Sequence, residues 1–268
     1  NTMGIGDSAT GTLGFTNTEL GNIVPGFSQI TFGRADSAGD VDIHGNALAT
    51  LLGGSPVTVQ TPALNGAGDI TVDASVNNLT WSAAKKFELD AGRTITLSSG
   101  VLIDNTNTSF GAGDAIVMKA NYGGTATGDD FIAININGAT VRSNTGDIKL
   151  YGQAKGNIAG NNYGIYVQNS GKIISNGTGT NAATITLMGT GGNGTQYNMG
   201  VYVNGGGASN TYIISIDGTI NIIGESGTSA TAGSNNCGIV LFQGGHISST
   251  GTSANAATIT LTGTGRGI

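Results

Sequence analysis

The chain repeats one long stretch of its own sequence. Residues 162–191 read NYGIYVQNSGKIISNGTGTNAATITLMGTG, and residues 236–265 read NCGIVLFQGGHISSTGTSANAATITLTGTG. The two stretches align without a gap, and Asn181–Leu187 (NAATITL) recurs letter for letter at Asn255–Leu261. A repeat at fixed spacing is typical of stacked supersecondary units, each too small to enclose a core alone. The sequence therefore predicts a solenoid.

A weaker copy of the repeat lies between these two. Asn198–Val203 (NMGVYV) matches Asn162–Val167 (NYGIYV), and Gly218–Ile222 (GTINI) matches the ATITL strand. Each later coil should therefore hold three strands, with loops that lengthen toward the C-terminus. Runs similar to the ATITL strand recur along the chain and predict eight rungs. They are marked by Val41, Ile70, Ile95, Ile116, Ile148, Ile185, Ile220 and Ile259.

Apolar and polar residues alternate within the predicted strands. Ile165 and Val167 should face one side of the strand while Tyr166 faces the other. Stacking would place like residues over like and form a continuous interior. The sequence predicts an all-β protein, a right-handed parallel β-helix (solenoid) of about eight coils. Residues 1–268 would form this single domain, with residues 1–38 as an irregular leading segment. A β-sandwich is the main alternative.

Composition supports this fold and excludes several partners. Glycine accounts for 48 of 268 residues, which suits tight corners, and only 10% of residues are charged, against about 25% in an average protein. The net charge is −6 with ten Lys and Arg, so we expect no nucleic-acid partner. The sequence has no apolar run of 18 residues, so we expect no transmembrane segment. The single cysteine, Cys237, is expected to be a small core residue.

Acidic residues are candidates for catalytic groups and for metal ligands. Gly128-Asp129-Asp130 resembles the acidic pair of polygalacturonases, but that family's other segments are missing. Adjacent carboxylates on a strand would also point to opposite faces, whereas glycoside hydrolysis needs two carboxylates flanking one bond. Asp40, Asp42 and Asp69 favour a solvated face over a calcium site. The sequence predicts no catalytic residue, no metal site and no cofactor.

Three stretches of the N-terminal half resemble a known family. They are Leu13–Gly45 (LGFTNTELGNIVPGFSQITFGRADSAGDVDIHG), Gly66–Ala74 (GAGDITVDA) and Phe87–Gly100 (FELDAGRTITLSSG), and they resemble passenger repeats of filamentous-haemagglutinin-like large exoproteins. The resemblance implies a rod that is secreted or held at a bacterial cell surface and acts in adhesion, biofilm or matrix. The NPNG and NPNL turns of that family's secretion domain are absent, so we expect an internal stretch of a longer repetitive protein.

The tyrosines are the candidate binding residues. All seven lie between Tyr122 and Tyr212. Tyr166 and Tyr202 are expected to stack outward on successive coils, with Tyr163 and Tyr197 in the loops beside them. Such an aromatic stripe can stack on sugar rings or anchor a protein. The alternative is aromatic pairing across strands, covered by the long loops.

These observations favour a non-enzymatic structural or adhesive rod. Its partners would be host or matrix glycans or proteins, or other copies of itself. The first alternative is a self-assembling subunit of an extracellular filament or sheath. It rests on the expectation that both ends present unpaired parallel edges without a capping coil, which would allow end-to-end stacking. A polysaccharide-active β-helix enzyme is a less favoured alternative.

Overall fold

The computed structural model describes residues 2–36, 39–46, 48–61, 67–76, 78–126, 130–156, 160–207, 210–228, 235–252 and 254–266. In chain order the strands are β1 (Met3–Ile5), β2 (Leu13–Phe15), β3 (Ile30–Gly33), β4 (Val41–Ile43), β5 (Val57–Thr61), β6 (Ile70–Val72), β7 (Leu79–Trp81), β8 (Phe87–Ala91), β9 (Ile95–Leu97), β10 (Leu102–Asn105), β11 (Asp114–Ala120), β12 (Ile134–Asn137), β13 (Thr140–Ser143), β14 (Asp147–Gln153), β15 (Ile165–Gln168), β16 (Lys172–Ser175), β17 (Ile185–Thr190), β18 (Val201–Asn204), β19 (Tyr212–Ser215), β20 (Ile220–Glu225), β21 (Ile239–Phe242), β22 (His246–Ser249) and β23 (Ile259–Thr264). Two short helices accompany them, α1 (Asn17–Gly21) and α2 (Leu48–Leu52). None of the helices in these ranges is long and apolar enough to cross a bilayer.

The strands form three sheets in which every pairing is parallel. The nine-stranded sheet has the order β2-β1-β4-β6-β9-β12-β15-β18-β21, the six-stranded sheet β22-β19-β16-β13-β10-β7, and the eight-stranded sheet β23-β20-β17-β14-β11-β8-β5-β3. Each coil from β6 onward contributes one strand to each sheet, so coils 3 to 8 are β6–β8, β9–β11, β12–β14, β15–β17, β18–β20 and β21–β23. Coil 1 contains β1–β3 with α1, and coil 2 contains β4, α2 and β5. The predicted parallel β-helix is confirmed.

Register between coils places like residues over like. In β15 and β18, Ile165 pairs with Val201 and Val167 with Val203, and all four side chains are fully buried. The same inward positions continue along the rod in one hydrophobic cluster. The interior is therefore a single column of stacked aliphatic side chains, as the repeat predicts.

The predicted series of rung positions from Val41 to Ile259 is wrong in one respect, because its members lie in two different sheets. Ile95 of β9 pairs with Ile134, whereas Ile116 of β11 pairs with Phe87 and Ile148. The first three of the eight predicted rung positions therefore lie in the nine-stranded sheet and the last five in the eight-stranded sheet. The reason is that strands of both sheets carry the same alternation of inward apolar and outward polar residues.

The two ends of the rod differ, whereas the sequence predicts unpaired edges without a capping coil at both. At the N-terminal end, α1 is fixed by a capping box between Thr16 and Glu19, and its Leu20 is 1% exposed within the main cluster. At the C-terminal end, Ile259 and Leu261 of β23 are 37% and 48% exposed. Their partners one coil earlier are fully buried. Coil 1 therefore covers the core, whereas coil 8 leaves its inward side chains partly exposed.

Glycines allow adjacent coils to approach closely. Gly189 of β17 pairs with Gly152 and Gly224 on the neighbouring coils. Gly200 lies beside this row, where an added Cβ would stand 2.6 Å from the carbonyl oxygens of Gly189 and Gly238. The end of one sheet and the start of the next therefore touch backbone to backbone at this corner, which brings the segments before β15, β18 and β21 together.

Candidate functional site

A row of asparagine side chains holds these segments in register. Asn162 Nδ2 donates to Asn198 Oδ1 at 3.0 Å, and Asn198 Nδ2 donates to Asn236 Oδ1 at 3.2 Å. On the N-terminal side, Asn162 Nδ2 also donates to Asp130 Oδ1 at 3.3 Å. Asn162 and Asn198 are fully buried. We call Asp130, Asn162, Asn198 and Asn236 the amide ladder.

A cluster of tyrosines lies directly beside the amide ladder, on the outer face of the nine-stranded sheet. Tyr166 and Tyr202 stack with ring centroids 4.9 Å apart and planes 7° apart. The Tyr163 ring meets both, with centroid distances of 4.9 Å to Tyr166 and 5.1 Å to Tyr202. Tyr197 and Met199 pack against the same group. We call these five residues the tyrosine cluster.

Side-chain amides on the same coil and on the next coil fix the orientation of the phenols. Tyr163 donates its hydroxyl to Asn161 Oδ1 at 2.8 Å, and Asn204 Nδ2 donates to the Tyr166 hydroxyl at 3.0 Å. Burial raises the pKa of Tyr163, and the adjacent phenols add to the effect. Burial likewise raises the pKa of Tyr202. Both phenols therefore remain neutral hydrogen-bonding groups at physiological pH.

A cleft of about 500 Å³ opens beside the tyrosine cluster at coils 7 and 8. It is lined by Asn161, Tyr163, Tyr197, Met199, Tyr202, Asn235, Cys237, Val240 and Phe242. None of these described lining residues is charged. Phe242 is 49% exposed, and its ring centroid lies 6.4 Å from that of Tyr202. The cleft therefore offers aromatic surface together with two side-chain amides.

The structure brings together all four tyrosines that the sequence singled out. The predicted outward stack of Tyr166 and Tyr202 is present, and Tyr163 and Tyr197 lie beside it. The cluster is more enclosed than an exposed stripe, because Tyr163 is only 7% exposed and Tyr202 only 9%. The segments that precede β15 and β18 supply this cover. A binding role for these residues stays a prediction.

The acidic candidates are held by protein donors. Asp130 accepts from Asn162, as described above, and lies at a backbone φ of 56°, whereas Asp129 lies outside the described residues. Asp69 accepts from Arg93 Nε at 2.8 Å, and Asp42 accepts from the Thr10 hydroxyl at 3.0 Å. Among the described residues there is no group of three or more His, Cys, Asp or Glu that could hold a metal. These carboxylates serve as turn and ion-pair groups.

Sequence reasoning missed the amide ladder, Met199 and Phe242. The signal for the ladder was present, because asparagine is the first residue of all three copies of the repeat, at Asn162, Asn198 and Asn236. Cys237, expected in the core, lies at the cleft and is partly exposed.

Fold and site together define a class, which is a parallel β-helix protein with an aromatic cleft on the side of the rod. No protein-family model, no curated protein and no solved structure matches this chain.

Proposed function

We propose that this chain is a non-enzymatic adhesive segment of a β-helical rod, secreted or held at a bacterial cell surface, that binds glycans along its side. The observation that carries the proposal is the aromatic cleft next to the tyrosine cluster, with Asn161 and Asn235 at its edge. Aromatic rings stack on the apolar faces of sugar rings, and amides provide both donors and acceptors for hydroxyl groups.

The rod supports adhesion through its geometry. Parallel coils lie about 4.8 Å apart and share one continuous core, so a side site is presented on a stiff support. Weak single sites gain strength when many are engaged at once. The resemblance of residues 13–45, 66–74 and 87–100 to filamentous-haemagglutinin-like exoproteins supports a surface or matrix role in adhesion or biofilm.

A glycan array tests this function. Wild type is compared with a Tyr197→Ala/Phe242→Ala double variant, which removes two rings from the cleft. The control is Tyr122→Ala, which removes a 60% exposed ring that packs on Tyr151 elsewhere on the rod. We expect wild type and control to bind the same glycans and the double variant to lose them. Binding of no glycan by wild type would contradict adhesion to sugars, and release of reducing ends would contradict a non-enzymatic role.

The second candidate is self-assembly into a filament or sheath, favoured by the exposed inward side chains of coil 8. Leu241, Ile259 and Leu261 are 45%, 37% and 48% exposed, and the outer edges of β21, β22 and β23 are unpaired in the sheets described. Coil 1 also carries exposed apolar side chains, including Val24 at 76% and Phe27 at 56%. Exposed apolar side chains beside unpaired parallel edges suit the stacking of one copy on another.

Sedimentation and electron microscopy across a concentration series test self-assembly. We expect wild type to form end-to-end assemblies and Leu261→Lys to remain monomeric. The matched control is Met188→Lys, which places the same charge on an exposed outward position of β17 in mid-rod. A monodisperse wild-type monomer at high concentration would exclude this candidate.

A further inference from the structure

Two columns of stacked side chains run beside each other along the cleft. In both columns the side chain contributed by coil 8 is smaller than those of the preceding coils. On the strands, Tyr166 pairs with Tyr202, which in turn pairs with Val240. In the segments that precede these strands, the residue after the ladder asparagine changes from Tyr163 to Met199 to Cys237. The stack of aromatic rings therefore stops after Tyr202, at the point where a third ring would continue it.

The next outward position changes in the opposite sense. Phe242 occupies the place that Asn204 has in β18. Because it lies two residues beyond Val240 on the same strand, its side chain stands on the same face. Coil 8 thus combines a gap over Val240 and Cys237 with an aromatic wall at Phe242. The resulting volume of about 500 Å³ lies within the roughly 300–1,000 Å³ of small-molecule sites.

We infer that this gap is a subsite for one pyranose ring of a neutral oligosaccharide, seated over Val240 and Cys237 where the third ring of the tyrosine stack is missing. The inference deepens the proposed glycan adhesion and rests on it. A sugar ring presents an apolar face to Tyr202 and Phe242 and directs its hydroxyls to Asn161 and Asn235.

The uncharged side chains among the described lining residues favour a neutral sugar. An acidic sugar would meet no cation among the described lining residues, and the protein carries a net charge of −6. An anion would therefore lose its hydration without gaining an ion pair.

Cys237 supplies a direct reporter, because it is the single cysteine of the sequence and lines the gap. Its alkylation rate is measured with and without hexasaccharides of glucose, mannose and N-acetylglucosamine, and with hexagalacturonate as the acidic counterpart. At a ligand concentration ten times Kd, a seated ring should slow alkylation about tenfold, since only about a tenth of the sites stay free. Protection by hexagalacturonate alone, or by none of the four, would overturn the inference.

Val240→Tyr supplies the missing ring from the protein itself. A tyrosine on an outward strand position next to Tyr202 suits the sheet, so the variant should fold and lose oligosaccharide binding. Ile223→Tyr is the matched control, because it adds the same ring at an exposed outward position of β20, outside the cleft lining, and should bind as wild type does. If Val240→Tyr does not fold, Cys237→Met tests the subsite instead. It introduces the larger side chain that Met199 has at the equivalent position of coil 7, and so narrows the same gap.

The outcomes separate this subsite from the wider function. Glycan binding by wild type that Val240→Tyr and Cys237→Met leave unchanged would overturn the subsite and leave adhesion in place. Binding of no glycan by wild type would remove both. Binding that is lost in both filled variants and kept in Ile223→Tyr would support both.

Discussion

The side-chain amide of Asn162 donates to the side-chain oxygen of Asn198 at 3.0 Å, and neither residue has exposed surface. The Asn198 amide also donates to Asn236 Oδ1 and to the Gly194 carbonyl, at 3.2 and 3.1 Å. A buried amide is costly unless its hydrogen bonds are made, and here the Nδ2 groups of Asn162 and Asn198 each find an acceptor on the next coil. The ladder therefore couples the register of three successive coils.

Asn198→Ala should destabilise the protein strongly. It removes the acceptor for Asn162 and the donor for Gly194, and each orphaned buried group costs roughly 1–3 kcal/mol, so we expect a loss of about 3 kcal/mol. Urea denaturation followed by circular dichroism measures it. Asn235→Ala, at an exposed position one residue before Asn236, is the control and should change stability by less than about 0.5 kcal/mol. Equal stability of the two variants would show that the ladder adds nothing.

Gly200→Ala should destabilise the rod severely. Its added Cβ would lie 2.6 Å from the carbonyl oxygens of Gly189 and Gly238, which are backbone atoms that cannot move without separating coils. We expect a loss of at least about 3 kcal/mol or failure to fold, measured by thermal unfolding. The control is Gly14→Ala in β2, where an added Cβ meets nothing within 4 Å. A stable Gly200→Ala variant would contradict the close backbone contact.

Most of the fold could be predicted from the sequence because the repeat is visible in the later coils. The copies at Asn162, Asn198 and Asn236 correctly indicated three strands per coil and parallel stacking. The N-terminal half could not be aligned in the same way. Ile95 and Ile116 have similar neighbours in sequence, yet only hydrogen-bond pairing assigns them to different sheets. Local alternation reports which face is buried, and it does not report which sheet the strand joins.

The strand residues of the site could be predicted from the sequence, whereas the segments that fold over them could not. Alternation places Tyr166 and Tyr202 outward and one coil apart, so their stacking follows from the repeat. The burial of Tyr163 depends on how the segment before β15 folds over the sheet, which no period in the sequence describes. The cleft itself arises from differences between copies, at Cys237 and Val240, and becomes visible only when neighbouring coils are superposed in register.

Glu88 should make stability fall in acid. Burial alone would raise the pKa of this carboxyl, but hydrogen bonds from Lys119, at 2.6 Å, and from Lys86 outweigh it and hold the pKa below its usual value of 4.5. The unfolded chain then takes up this proton first as pH falls, so the contribution of Glu88 is complete above pH 4.5 and is lost below it.

Urea denaturation of wild type and Glu88→Gln from pH 7 to about pH 3 measures this effect, and the stability difference between them should shrink below pH 4.5. Asp90 acts in the opposite sense, because burial raises its pKa, and it is left unchanged in both proteins. Lys119→Met serves as a second test, since removal of the main donor should diminish the same acid-dependent loss. A difference that stays constant across this range would contradict the role of the ion pairs.

Tyr163 should make stability fall in alkali. Burial, together with Tyr166, Tyr202 and Tyr197, raises the pKa of this phenol well above its usual value of 10.0. Above pH 10 the unfolded chain loses the proton that the folded chain keeps, so stability is full below that pH and declines above it, by up to about 1.4 kcal/mol per pH unit for one phenol.

Urea denaturation between neutral pH and about pH 11 should show a shallower decline for Tyr163→Phe than for wild type. Tyr202→Phe should shift the curve in the same direction, because burial raises the pKa of Tyr202 as well. Identical slopes for wild type and Tyr163→Phe would mean that Tyr163 ionises as freely in the folded protein as in the unfolded chain, and that the tyrosine cluster is open to water.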